Sequence, residues 1–361
     1  MKAAIVFGTR AETIKVAPLL TRFKKYEVTS IYTGQHYDSQ MSTRFFDELG
    51  IGKPDYQMKL NKIGNTTTDR ATQTGEVILK LAKIITSVNP DTVIVQGDTN
   101  SVLAAAITSL KCNIPVCHVE SGLRSYDWRM PEEHNRITID HMSELLFAPT
   151  LTSKNILKSE KVHGKIFVTG NTSIDAVEDY LEYAEHNSSI DFPENEFALV
   201  TLHRGENVDD KKILGSILSG LLQSKIPLVF PIHPRTERRL KEFGFYHKIK
   251  NSKIITTLGP LGYFDILNLM KKSRFILTDS GGIQEEATSP KLNKKVLVLR
   301  KTSDRPESIL HGYSELVGTK TDKIIQSINR SIKNPKISSR VSPYGRGNAS
   351  KKILEIIRNH F

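Results

Sequence analysis

Short apolar runs alternate with helical stretches along the whole chain, and the alternation comes in two blocks. In the first half the β-rich runs are Ala3–Phe7, Val28–Tyr32, Thr92–Gln96, Val116–Val119, Leu145–Phe147 and Ile166–Thr169, with helical patterns such as Glu12–Lys25 and Thr72–Ser87 between them. The second half repeats the theme with Ala198–Leu202, Leu228–Pro231, Ile254–Thr257, Phe275–Thr278 and Val296–Leu299. Strand then helix, repeated, predicts a parallel sheet with helices on both faces, because parallel neighbours need a crossover. A chain of 361 residues is long enough for two domains of roughly 150–200 residues each. The expected fold class is therefore α/β, with two doubly wound domains. Between the blocks, the polar stretch Ala184–Pro193 reads as a linker ending a crossover helix that begins near Thr172. Ser342–Ser350 reads as a turn-rich loop before a last helix, Lys351–Arg358. Doubly wound domains place a ligand at the carboxyl ends of their strands, in the cleft between them. Functional residues are expected just past the strand runs.

Several function classes are poorly supported. No run approaches the roughly 18 apolar residues of a membrane span. Met1–Gly8 carries one Lys and a short apolar run, the pattern of a first strand rather than a signal peptide. The two cysteines, Cys112 and Cys117, fit neither a disulfide framework nor a zinc pattern and read as buried reduced thiols. The expected location is cytoplasmic, with no membrane partner. The net charge of +12 would suit an anionic ligand. Its Lys and Arg are scattered, and clusters such as Lys271-Lys272 and Lys294-Lys295 lack interleaved aromatics. Nucleic acid is thus not the expected partner. Phosphorylated substrates fit better.

The residues past the strands divide by chemistry. After Phe275–Leu277 comes Thr278-Asp279-Ser280-Gly281-Gly282-Ile283-Gln284-Glu285-Glu286. Strand, Gly-Gly turn and helix present bare N–H groups to an anion; the alternative is a βα turn whose glycines only supply positive φ. His203-Arg204 and His233-Pro234-Arg235 leave two other strands, and Arg300–Glu307, with Arg305, leaves a third. No H-x-x-H or H-E-x-x-H spacing supports a metal, so these histidines are expected to hydrogen-bond phosphate. In the first half, Arg10 and Lys15 flank a helix start after the first strand, suited to an anionic leaving group. The turn lacks a G-x-G-x-x-G fingerprint, so a dinucleotide site is unsupported. Asp98, Glu120 and Glu132 lie at or past strand ends on the same side of that domain. Convergent carboxylates are what proton transfer at carbon requires, although capping the next helix is the commoner use of an Asp placed as Asp98 is. A nucleoside diphosphate in the second domain and a sugar at the first is the arrangement these residues describe.

The words GTRAETIK, TGQH, QGDTNS, HVESGLR, PEEHNR, FAPT, VTGNTSID, LHRGEN, IHPR, TDSGGIQEE, LVLRKTSDRPE and SPYGRGNAS run nearly end to end. Together they resemble the non-hydrolysing UDP-N-acetylglucosamine 2-epimerases, relatives of the two-domain GT-B glycosyltransferases. The resemblance implies two Rossmann-like domains facing a cleft. Residues 1–170, joined by the C-terminal helix 345–361, would carry the carboxylates, and residues 171–344 would bind UDP. It implies interconversion of UDP-GlcNAc and UDP-ManNAc, feeding surface polysaccharide or glycan synthesis, with no metal or nicotinamide cofactor and usually as a homodimer. UDP would be eliminated to leave 2-acetamidoglucal and then re-added after reprotonation on the opposite face. Asp98, Glu120 and Glu132 match the family's acid/base carboxylates, and Lys15 an active-site position. Arg10, His203 and Ser280-Gly281-Gly282 would stabilise the departing diphosphate; Glu286 matches the ribose-binding Glu, and Arg305 lies in the matching Arg-Pro-Glu segment. Ala11, Gly205 and Arg346 stand where the family often has Pro, Arg and Asp. The glutamines of the bacterial allosteric site are incomplete over Tyr37–Arg44, so substrate activation is not expected. The alternatives are a hydrolysing epimerase that releases ManNAc, a GT-B glycosyltransferase and a non-enzymatic UDP-sugar-binding regulator.

Overall fold

Two parallel sheets organise the chain. The computed structural model describes residues 1–23, 26–35, 45–61, 66–188, 190, 196–334, 337 and 341–361. Tyr37–Arg44, read above for allostery, lies outside the described residues, as do Ser189 and Asp191–Pro193 of the expected linker. The first sheet has seven strands in the order β3-β2-β1-β4-β5-β6-β7. They are β1 (Lys2–Phe7), β2 (Glu27–Tyr32), β3 (Tyr56–Gln57), β4 (Thr92–Gln96), β5 (Val116–Val119), β6 (Leu145–Ala148) and β7 (Lys165–Val168). The second has six, in the order β10-β9-β8-β11-β12-β13. These are β8 (Ala198–Thr201), β9 (Leu228–Pro231), β10 (Ile255–Leu258), β11 (Ile276–Thr278), β12 (Val296–Val298) and β13 (Ser314–Leu316). Every pairing is parallel. The fold class is α/β with two Rossmann-like sheets.

Strand order reverses at β1/β4 in one sheet and at β8/β11 in the other. Open α/β sheets bind ligands at such switch points. The turns leaving these four strands are therefore the places to look for chemistry.

The β1 register shows why the apolar runs fold as they do. Ala4 and Val6 pack with Val77, Leu81 and Ile85 of helix Thr67–Val88. Ala3, Ile5 and Phe7 face the other layer, with Val16, Leu19 and Phe23 of helix Arg10–Phe23. Ile353 and Ile357 of the last helix, Ala349–His360, join that second layer. Burial of such side chains contributes about 1.5–3 kcal/mol each. The last helix is also pinned at its start: buried Asp175 accepts the amides of Ala349 (2.9 Å) and Ser350 (2.8 Å). Contacts divide the chain into two compact units, Met1–Ala176 with Tyr344–Phe361, and Val177–Pro343. The division passes through helix Thr172–Asn187.

Cys117 is buried on β5, and burial pushes its thiol up to about 12; Cys112 is half-buried, and both are free. No helix among the described residues is long and apolar enough to cross a membrane.

Candidate active site

In the second unit, β11 ends at Thr278 and the chain turns through Asp279-Ser280 into helix Gly281–Glu286. Neither Gly281 nor Gly282 has a positive φ, so the backbone conformation does not call for glycine. Gly281 has a packing reason, since a Cβ there would come 3.3 Å from Asp304 Oδ1. Gly282 has none; its nearest neighbour would be Ser280 Oγ at 3.8 Å. The Ser280 hydroxyl caps the helix from the N–H of Ile283, and the Ser280 amide donates to Thr278 Oγ1 at 3.0 Å. Among the described residues, the amides of Gly281 and Gly282 meet no acceptor. Unpaired amides at a strand–helix turn are the groups an anion would use.

Buried charge supports this turn from below. The Asp279 carboxylate accepts the amides of His203 (3.1 Å) and Arg204 (3.0 Å) and Nδ2 of Asn207 (3.1 Å). His203 Nδ1 lies 3.3 Å from Asp279 Oδ1. Burial alone would raise the Asp279 carboxyl, but His203, the Arg204 amide and Asn207 hold it below the usual carboxylate range. Burial opposes ionisation of Asp304 too, yet Arg305, Arg300 and Arg204 keep it far below that range. Arg305 pairs through Nε with fully buried Glu285 and donates to the Asp304 carbonyl at 2.9 Å. Glu286, one residue on, is half-buried. His233, alike in sequence, serves differently: its Nδ1 accepts the Arg235 amide at 3.2 Å and caps helix Pro234–Glu242. Burial, then His203 and Arg235, lower its pKa. A Cβ at Gly205 would lie 2.6 Å from Nη2 of Arg235, the far end of a flexible side chain.

In the first unit, Lys15 and Glu120 meet: Lys15 Nζ lies 2.5 Å from Glu120 Oε2, which also accepts Gln96 Nε2 at 2.7 Å. Glu120 follows β5 with φ of +71°, a strained conformation for a residue with a side chain. Its amide and that of Ser121 are held by the Phe147 carbonyl at 3.1 and 3.2 Å. Asp98 pairs with Arg136, whose Nε donates to Oδ2 at 3.1 Å. Behind both carboxylates runs a buried chain of charge. His118 sets its two ring nitrogens against Asp140 Oδ1 (2.7 Å) and the Gly97 carbonyl (2.9 Å). Asp140 Oδ2 in turn takes the Gly122 amide (3.1 Å) and Arg124 (2.8 Å). The turn bearing Asp98 is thereby tied to the turn bearing Glu120.

The other expected residues of this unit have different surroundings. Arg10 stacks over the Phe45 ring at 4.8 Å, and burial lowers its pKa against the pull of Glu48. Glu132 is exposed on the first turn of helix Pro131–Met142. Its neighbour Glu133 is the buried one, accepting the amides of Ser125 (2.9 Å) and Tyr126 (2.8 Å) and Arg136 Nη1 (3.0 Å). Glu12 was not anticipated. Fully buried, it accepts the amides of Gly8 (2.5 Å) and Thr9 (3.1 Å), and burial pushes its carboxyl up to about 7. Its signal was in the sequence: Thr9-x-x-Glu12 is a capping box, completed by the Glu12 amide on Thr9 Oγ1 at 3.2 Å.

A Rossmann-like sheet in each unit, a Gly-Gly turn after β11 and a lysine-bound carboxylate after β5 suit a nucleotide-sugar enzyme. Comparison with known proteins narrows this. Residues 19–358 match the sequence model of the UDP-N-acetylglucosamine 2-epimerases, and the chain belongs to that family. The UDP-N-acetylglucosamine 2-epimerase of Methanocaldococcus jannaschii is 40% identical over 99% of both chains. Its crystal structure in complex with UDP-GlcNAc and UDP is similar with a TM-score of 0.87, covering 99% of this chain and 100% of that one. The Neisseria meningitidis enzyme bound to UDP-GlcNAc, 35% identical, gives 0.88 over 99% of this chain and 100% of that one.

Proposed function

We propose that this enzyme interconverts UDP-GlcNAc and UDP-ManNAc by eliminating and re-adding UDP. The observation that carries the reading is Glu120, fixed past β5 between Lys15 and Gln96 with a 2.5 Å ion pair. A carboxylate so held is aimed, as a base at carbon must be. In the forward step the C2 proton passes to a carboxylate of the first unit. The C1–O bond breaks with its electron pair leaving on the diphosphate oxygen, and 2-acetamidoglucal remains. Return of a proton to the opposite face of C2 and addition of the diphosphate at C1 complete the epimerisation. Asp98, Glu120 and Glu132 are the carboxylates for this exchange; Lys15 and Arg10 balance charge beside it. Ser280, Gly281, Gly282, His203 and Arg305 hold the diphosphate, and Glu286 the ribose. Residues 1–170 with 345–361 would then work the sugar while 171–344 keep UDP. A cytoplasmic homodimer belongs to the same proposal, on the family resemblance.

The test is NMR of UDP-GlcNAc turnover in deuterated water. The expected result is UDP-ManNAc with deuterium at C2 of both recovered sugars. Free ManNAc with UDP as the end products would make the enzyme a hydrolysing one, and absence of both products and exchange would refute elimination. Glu120→Gln is expected to lower kcat about 10³-fold.

A further inference from the structure

His203 and His233 leave neighbouring strands in like sequence contexts, and their rings lie 5.6 Å apart. Two imidazolium ions at that separation repel, so at most one of the two rings takes a proton. The surrounding groups make the choice. His233 has its Nδ1 lone pair committed to the Arg235 amide, with Arg235 itself nearby. Its Nε2 therefore carries the ring's one hydrogen and the ring stays neutral. His203 faces the opposite environment: its Nδ1 is 3.3 Å from the buried Asp279 carboxylate, whose own side chain is fully enclosed. Arg204 follows in the chain, and its charge is directed at Asp304. The His203 ring is 35% exposed, and among the described residues its Nε2 meets no partner.

This geometry creates a conditional donor. When His203 is neutral, Asp279 holds the hydrogen on Nδ1, and Nε2 offers an outward lone pair, which repels phosphate oxygen. Only the imidazolium presents Nε2–H outward while keeping Nδ1–H on Asp279. We propose that Asp279 is a positioning residue that makes diphosphate binding proton-coupled: UDP draws a proton onto His203, and the resulting charged donor faces the departing oxygen. The inference rests on the diphosphate reading above. Its balance is simple. The proton comes from solvent on binding, stays on the imidazolium as the C1–O electron pair moves to the diphosphate, and returns to solvent when UDP leaves. Because the donor is charged and its counter-ion buried, the hydrogen bond strengthens as negative charge develops.

Asp279→Asn separates charge from shape. The amide oxygen can still accept from Arg204 and Asn207, while its NH2 donates to His203 Nδ1. That fixes a neutral tautomer with Nε2–H already outward, so binding no longer needs a proton. The measurement is proton uptake per UDP bound at pH 8, from calorimetry in two buffers of different ionisation enthalpy. Expected are about half to one proton for the unaltered enzyme and less than about 0.2 for Asp279→Asn and for His203→Gln. For Asp279→Asn, kcat should fall about 10²-fold with KM for UDP-GlcNAc changing less than about threefold. UDP binding without uptake in the unaltered enzyme, or uptake unchanged in either variant, overturns the inference while leaving the diphosphate site standing. Failure of UDP to bind overturns both. Should Asp279→Asn not fold, the His203→Gln comparison and the ring ¹⁵N signals of His203 still decide. Both nitrogens must be protonated in the UDP complex, and a ring with one bare nitrogen refutes the pair.

Discussion

The βα turns after β1 and β11 both carry glycine, and they use it in opposite ways. At Gly8, after β1, a Cβ would collide with the hydroxyls of Thr33 and Ser101, which bond each other at 2.7 Å. The amides of that turn are already filled from within by Glu12. At Gly282, after β11, a Cβ would meet almost nothing, and the amides are unfilled. The first turn is closed by a carboxylate of its own helix; the second, among the described residues, is not. Glycine at a strand–helix turn is thus no sign of a phosphate site by itself. What distinguishes the two is whether the next helix supplies its own acid.

The largest effect expected from this contrast is at Gly8. Gly8→Ala should destabilise the protein by about 3 kcal/mol, read by chemical denaturation, because two hydroxyls must be displaced. Unchanged stability would mean the turn has room the contacts deny. Glu12→Gln comes next, with a sign set by linkage. Glu12 is protonated in both folded and unfolded chains below pH 4.5, its ordinary value, and folded Glu12 ionises only near 7. Stability is lost as pH rises between these values and the loss is complete above 7. Removing the charge should therefore gain about 2–3 kcal/mol at pH 8 and nothing at pH 4. A gain equal at both pH values would contradict the assignment. Gly282→Ala should weaken UDP binding about tenfold to a hundredfold in calorimetry while leaving stability unchanged or raised by about 0.5–1 kcal/mol. Equal losses of both would place Gly282 with Gly8. Ser280→Ala should cost about 1 kcal/mol, the price of a helix cap, in thermal unfolding; no cost would mean that the cap holds nothing.

The strands were legible because most of them are buried on both faces and are therefore apolar without interruption. The two missed, β3 and β13, are edge strands of two and three residues. Tyr56 and Gln57 are both exposed, and Ser314-Glu315-Leu316 offers no apolar run. Within the site, position after a strand was readable but phase within a helix was not. Glu132 and Glu133 stand about 100° apart on one helix, and the sequence cannot tell which points inward until the helix start is fixed. The structure buries Glu133 against Arg136 and leaves Glu132 exposed. Asp279 was in plain view inside TDSGGIQEE, yet its partners are 72 to 76 residues away. Pairing at that distance is a property of the β8–β11 neighbourhood, which only the sheet order reveals. Lys15 and Glu120, 105 residues apart, could be expected at the same strand ends but not in contact.

Selective ¹⁵N-glycine labelling gives the most direct test of the open turn. On titration with UDP, the amide signals of Gly281 and Gly282 should shift downfield and saturate together, while Gly8 stays within its unliganded line. Shifts at Gly8 with Gly281 and Gly282 unmoved would contradict the account, since the anion would then occupy the turn that Glu12 fills.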